Sequence, residues 1–195
     1  PNTNGFPDDP KFPFAGVPRS QPMLSEMLKV AGYRCGMVGK WHLGLHETMR
    51  PNARGFDYYY GIPYSNDMWI DPANTLADDI KVRDGLTLDD VKAGHKKRND
   101  VPLMRGEEVI EYPANQKTLT KRYTEESIKI IKQHAGKEPF FLYLPFAIPH
   151  LSIQVTEDSL SQYKGKIPEA EYTHKGYLKH PFPHAGYAAM ISHVD

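Results

Sequence analysis

Three side chains suited to holding an anion stand out by type and position. In the stretch MVGKWHLG, Met37 to Gly44, Lys40 and His42 lie two residues apart directly after a short apolar run. On an extended chain, residues i and i+2 share a face, so an ammonium and an imidazole would enter one small volume while Trp41 points away. An anion with several oxygens suits that pair, because lysine gives a point charge with three donors and histidine a directed N–H. Gly39 and Gly44 would remove side chains on either side and let a ligand approach the backbone. Spacing alone fits equally well a lysine snorkelling from a strand end and a histidine satisfied at the surface. His150 repeats the placement at the end of PFFLYLPFAIPH, which runs from Pro139 to His150. A lone histidine after a strand is commonly a turn residue. Two strands delivering such groups to one sheet edge point instead to a site, since open α/β sheets bind ligands at the carboxyl ends of their strands.

That geometry needs elements to hold it. Residues 1–22 carry six prolines and read as an extended surface segment. A helix capped by Ser20 follows, with Met23, Leu24, Met27, Leu28 and Ala31 as an apolar stripe and Gly32 as its stop. Cys35 to Gly39 is short, apolar and glycine-bounded, the pattern of a buried strand. From Pro51 to about Asn115 the pattern is irregular, with Glu107–Tyr112 as an edge strand. A second helix starts at Thr118 or Thr120, buries Tyr123, Ile128, Ile130 and Ile131, and runs to His134 before Gly136. The continuous apolar character of Phe140–Phe146 predicts a central strand covered on both faces. A last helix starts at Gly186–Ile191. This order argues for an α/β fold, layered α/β/α with a largely parallel sheet that is incomplete in this chain.

Composition narrows the partners. At 195 residues, one domain is the natural expectation. Lys plus Arg and Asp plus Glu both total 24, which gives no reason to expect nucleic acid or an acidic membrane. The one basic cluster, His95-Lys96-Lys97-Arg98, is flanked by Asp89, Asp90 and Asp100 and reads as a solvated loop face. No apolar run approaches the roughly 20 residues that span a bilayer, so no transmembrane segment is expected. The single cysteine, Cys35, excludes an internal disulfide and a cysteine zinc site. His42 and His46 stand four apart, but Gly44 weakens a helix there and the glutamate of H-E-x-x-H is absent. Asp78-Asp79 and Asp89-Asp90 lie in the irregular part and read as surface carboxylates.

MVGKWHLG after LSEMLKVAGYRCG resembles the GKWHLG segment of the sulfatase family, the arylsulfatase A-like enzymes of the alkaline phosphatase superfamily. RGFDYYYGIPYSNDM, Arg54 to Met68, is similar to that family's GFD…PYS-x-D segment, and PFFLYLPFAIPH to its later PFFLY…PH strand. The three matches keep the family's order. The resemblance implies a sulfuric ester hydrolase acting on aryl or carbohydrate sulfates, in a periplasmic, secreted or lysosomal setting. It implies that Lys40 and His42 contact the sulfate and the nucleophile, that Ser65 approaches the same pocket, and that His150 contacts the sulfate and protonates the leaving oxygen. The runner-up enzyme is a phosphodiesterase or phosphonate hydrolase on the same fold, and the alternative from a different class is a non-catalytic remnant that binds sulfated glycans. The family's nucleophile is a formylglycine made from the cysteine of C-x-P-S-R. Cys35 sits in RCGMV, so it is not that residue and reads as a small core side chain. The family also implies a calcium ion, whose paired aspartates and later Asp-Asn match nothing here; no metal ligand is assigned. The expectation is therefore a partial catalytic domain over 1–195, with the nucleophile before residue 1 and further metal ligands after residue 195.

Overall fold

The apolar run ahead of Lys40 forms the strand that its pattern predicts. In the computed structural model, which describes residues 16–173 and 176–195, β1 spans Arg34–Lys40 and is buried over most of its length. Cys35 and Met37 join the core on one face, while Gly36 and Val38 lie toward the other. β1 sits between two parallel neighbours, β2 (Tyr58–Ile62) and β6 (Phe140–Tyr143). β3 (Thr75–Val82), β4 (Leu103–Arg105) and β5 (Glu108–Tyr112) extend the sheet beyond β2, giving the order β3-β5-β4-β2-β1-β6. β4 is antiparallel to both its neighbours and the other pairings are parallel, so the fold is α/β with a six-stranded, mostly parallel sheet. The chain leaves β1 for β2 on one side and reaches β6 on the other. Lys40 thus ends the strand at which the order reverses, where such sheets hold ligands.

Among the described residues, five α-helices accompany the sheet: α1 (Leu24–Val30), α2 (Leu88–Lys92), α3 (Leu119–His134), α4 (Glu157–Ser161) and α5 (Pro183–Val194). α3 covers one face with Leu119, Tyr123 and Ile130, which pack with Val38, Tyr60 and Ile62. α1 covers the other through Leu28 and the preceding Met23, against Cys35, Met37 and Trp41. None of the described helices is long and apolar enough to cross a membrane.

Several local expectations shift. The first helix starts at Leu24, not after Ser20, because Glu26 reaches back to the Met23 N–H at 2.8 Å and fixes the first turn there. Its Leu24 and Met27 are exposed, as are Ile128 and Ile131 on α3, so only part of each apolar set faces the sheet. β5 lies inside the sheet, with β3 at the edge, because β3 forms from a stretch that carries no alternation signal. β6 is at the other edge of the described sheet and only half buried, although its sequence is continuously apolar. α5 begins three residues before Gly186, at Pro183, a residue pre-set for a first turn.

Candidate active site

The strands meet closely just below the site. A Cβ at Gly61 would lie 1.8 Å from the Gly39 carbonyl oxygen, and one at Gly39 would lie 2.1 Å from that of Pro145. The room left by Gly39 is thus filled by neighbouring backbone and not by a ligand. Gly44 likewise pairs with Gly16 in an isolated bridge. The chain leaves β1 along its neighbours: the N–H groups of Lys40, Trp41 and His42 donate to Pro145, Ile62 and Pro63 at 2.8, 3.0 and 3.0 Å. His42 has φ +56°, so the strand geometry expected of Lys40 and His42 stops before the histidine. A turn, not a shared strand face, brings them close. Trp41 does turn away: it is buried, and its Nε1–H donates to Gly44 O at 3.1 Å and Met49 O at 3.0 Å.

Beside this turn lies a cavity of about 380 Å³, lined by His42, Ser65, Asp67, Met68, Trp69, Arg98, His150 and Tyr177. Lys40 stands near it, close enough to Asp67 and His42 for their charges to couple. Burial lowers the Lys40 pKa, and the Asp67 carboxylate opposes the shift. Burial also lowers the His42 pKa, helped by Lys40 and His150 and opposed by Asp67, so this ring is neutral at pH 7. His150 donates from Nδ1 to the carbonyl of Leu151, which leaves Nε2 as its other proton-carrying position. Its ring meets Tyr177 edge-on at 5.9 Å. Arg98 donates to Asp67 Oδ2 at 3.4 Å and to Gly176 O at 2.7 Å. The three positions singled out by type and spacing therefore converge, and Ser65 joins them.

A buried polar clamp ties the loops together. Asn66 donates to Leu151 O at 3.3 Å, linking the Ser65 loop to the His150 loop. Gln116 donates from one amide nitrogen to Asn66 O and Asn99 O, both at 2.7 Å. Ser152 donates to Asn99 Oδ1 at 2.8 Å and accepts from the Leu178 N–H at 2.9 Å. Asn66, Asn99, Gln116 and Ser152 are all buried, where polar groups without partners would be costly.

Comparison with known proteins places the chain in a family. The sequence profile of the sulfatase family matches residues 2–195. The chain belongs to the sulfatase family. Arylsulfatase G of Mus musculus is 38% identical over 148 residues, covering 72% of this chain and 28% of that protein. N-acetylgalactosamine-6-sulfatase of Mus musculus is 30% identical over 172 residues, covering 83% of this chain and 29% of that protein. The sulfatase chain thus spans less than a third of the length of these relatives. The crystal structure of Ps i-CgsB in complex with k-i-k-neocarrahexaose superposes with a TM-score of 0.65 at 25% identity, over 92% of this chain and 35% of the other.

Within this sulfatase chain the discounted residues stay apart from the cavity. Cys35 is buried on β1 with its thiol against Ser25 O. His46 is engaged with Thr48 at the start of a 3-10 turn. Asp78, Asp79, Asp89 and Asp90 are exposed, and Asp90 closes a capping box with Thr87 at α2. Of the other histidines, His174 lies outside the described residues. Calcium takes six to eight oxygen ligands, and no group of three or more His, Cys, Asp or Glu among the described residues could hold a metal. The one carboxylate lining the cavity, Asp67, faces Arg98. These residues alone do not fit the ion. Asp67, Arg98 and Tyr177 were not recognisable as site residues: Asp67 ends the PYSND segment without an assigned role, and Arg98 sits in the cluster that reads as solvated.

Proposed function

We propose that this protein hydrolyses sulfate monoesters, the chain contributing the sulfate-gripping part of a larger catalytic domain. The observation that carries the reading is convergence: the loops after β1, β2 and β6 bring His42, Ser65 and His150 to one cavity at the carboxyl edge of the sheet, beside Lys40 at the end of β1. Lys40 supplies a fixed positive charge, and the neutral His42 and the Ser65 hydroxyl supply directed hydrogen bonds to sulfate oxygens. Such charge-assisted contacts strengthen as negative charge builds on the breaking S–O bond. His150, held through Nδ1, donates a proton from Nε2 of its doubly protonated ring to the leaving oxygen. The nucleophile in this reading is the formylglycine of the family, and it and any calcium ligands lie on residues other than those lining the cavity. Carbohydrate sulfates are the favoured substrates, since the cavity is several times larger than a sulfate group.

The test is sulfate release by the intact protein from phenyl sulfate and from 6-sulfated N-acetylgalactosamine, with phenyl phosphate and a phosphonate ester as controls. Sulfate release that Lys40→Ala lowers supports the reading. Turnover of the phosphorus esters alone, or tight binding of sulfated sugars without turnover, overturns it.

A further inference from the structure

We propose that Arg98 and Tyr177 form a second recognition point, which binds a second acidic substituent, carboxylate or sulfate, on the sugar that carries the scissile sulfate. The inference rests on the carbohydrate-sulfate reading above and names the kind of sugar. Both residues line the same cavity as His42 and His150. Each is held from behind by the buried clamp, because Arg98 precedes Asn99 and Tyr177 precedes Leu178. The Arg98 side chain is 55% exposed, and its carboxylate partner lies at 3.4 Å, so this pairing orients the guanidinium without consuming it. Gly176 O fixes a second N–H at 2.7 Å, and the remaining N–H groups make no hydrogen bond among the described residues. A guanidinium so held presents a fork that matches the paired oxygens of a carboxylate or sulfate.

Tyr177 gives the subsite its place relative to the chemistry. Its ring centroid lies 5.9 Å from that of His150, at 75°, and 6.0 Å from the guanidinium carbon of Arg98, which sits over the ring. Tyr177 thus neighbours both the group assigned to the leaving oxygen and the arginine, and its ring offers an apolar surface to a sugar that would span the two.

The experiment titrates the intact protein by calorimetry with three disaccharides, following sulfate release separately. One ligand carries a single sulfate, one a sulfate and a uronate carboxylate, and one two sulfates. The wild type should bind at least one doubly acidic ligand about tenfold or more tightly than the monosulfate. Arg98→Ala should erase that preference, and Arg98→Lys should restore part of it, since lysine keeps the charge and loses the fork. Whether the uronate or the disulfate shows the preference identifies the anion. No preference in the wild type, or an equal loss on all three ligands in Arg98→Ala, overturns the subsite. Preference without sulfate release would refute the hydrolase reading and leave the subsite standing; sulfate release without preference would do the reverse.

Discussion

The two edges of the sheet use charge in opposite ways. At the amino edge a cleft of about 420 Å³ is lined by charged groups, yet each has found a partner. Lys29 pairs with Asp57 at 2.7 Å, Arg34 with Glu138 at 3.1 Å and Lys129 with Glu126 at 2.8 Å, three cations against three anions. Nearby, Arg54 is fully buried with its donors committed to Glu26, Val17 O and Gln21 O. At the carboxyl edge Lys40 and Arg98 share the single carboxylate of Asp67. Matched charge holds the chain together, and unmatched charge waits for a ligand. Cavity size does not distinguish the two edges, whereas the charge balance does.

The largest effect expected from this contrast is on stability. Arg54→Ala strands the Glu26 carboxylate and two carbonyls, and should lower unfolding stability by about 3–5 kcal/mol in a denaturant titration. The bond from Arg54 is the main cause holding the Glu26 pKa below its ordinary value. Glu26 therefore adds stability above its unfolded value, near 4.3, and that stability is lost as pH falls through the lower folded value. In Arg54→Ala the acid limb should become shallower. An unchanged acid limb would mean that the pair contributes nothing.

Lys40→Ala should behave in the opposite sense. Its charge is desolvated in the folded state, so removal should leave stability unchanged or slightly higher. Activity should fall about ten- to a hundredfold in kcat/KM, the worth of roughly 1.5–3 kcal/mol for a bond to a charged group. A loss of stability with unchanged kcat/KM would erase the distinction between the edges.

A smaller and more selective effect separates the histidines. His150→Ala should hurt most on esters of poorly acidic alcohols and least on activated phenols, which leave without a proton. His42→Ala should lose activity evenly across that series. Parallel losses in both variants, measured on phenyl sulfates of graded acidity, would remove the acid role from His150.

The smallest effect is electrostatic. Lys40 helps depress the His42 pKa, so Lys40→Met should raise it, while Asp67→Asn should lower it further. Imidazole shifts in an NMR pH titration read both signs directly, and shifts in the same direction would contradict the proposed arrangement.

Much of this was legible along the chain. The strand before Lys40, the convergence of Lys40, His42 and His150, and the parallel sheet follow from short apolar runs that end in polar residues. Two kinds of fact were hidden. Whether a strand is central or at an edge depends on what pairs beside it: the weakly alternating Glu108–Tyr112, expected at an edge, lies inside, and the apolar Phe140–Tyr143 has one partner in the described sheet. The clamp was invisible because its bonds join residues far apart, 53 positions between Asn99 and Ser152 and 85 between Asn66 and Leu151. Arg98 belongs to the same class: a charge run looks solvated until a distant carboxylate and a distant carbonyl fix one of its members.

The clamp also bears on how fast and how selectively the site responds to what enters it. Loops stitched to one another before any ligand arrives have little conformational freedom left to lose on association. Discrimination should then appear in how long a sugar stays, since encounter with a rigid, open, positively biased cavity differs little between related anions. Loosening the clamp at Gln116 would turn part of the binding free energy into the work of ordering loops, and would slow arrival without removing a single group that touches the sulfate.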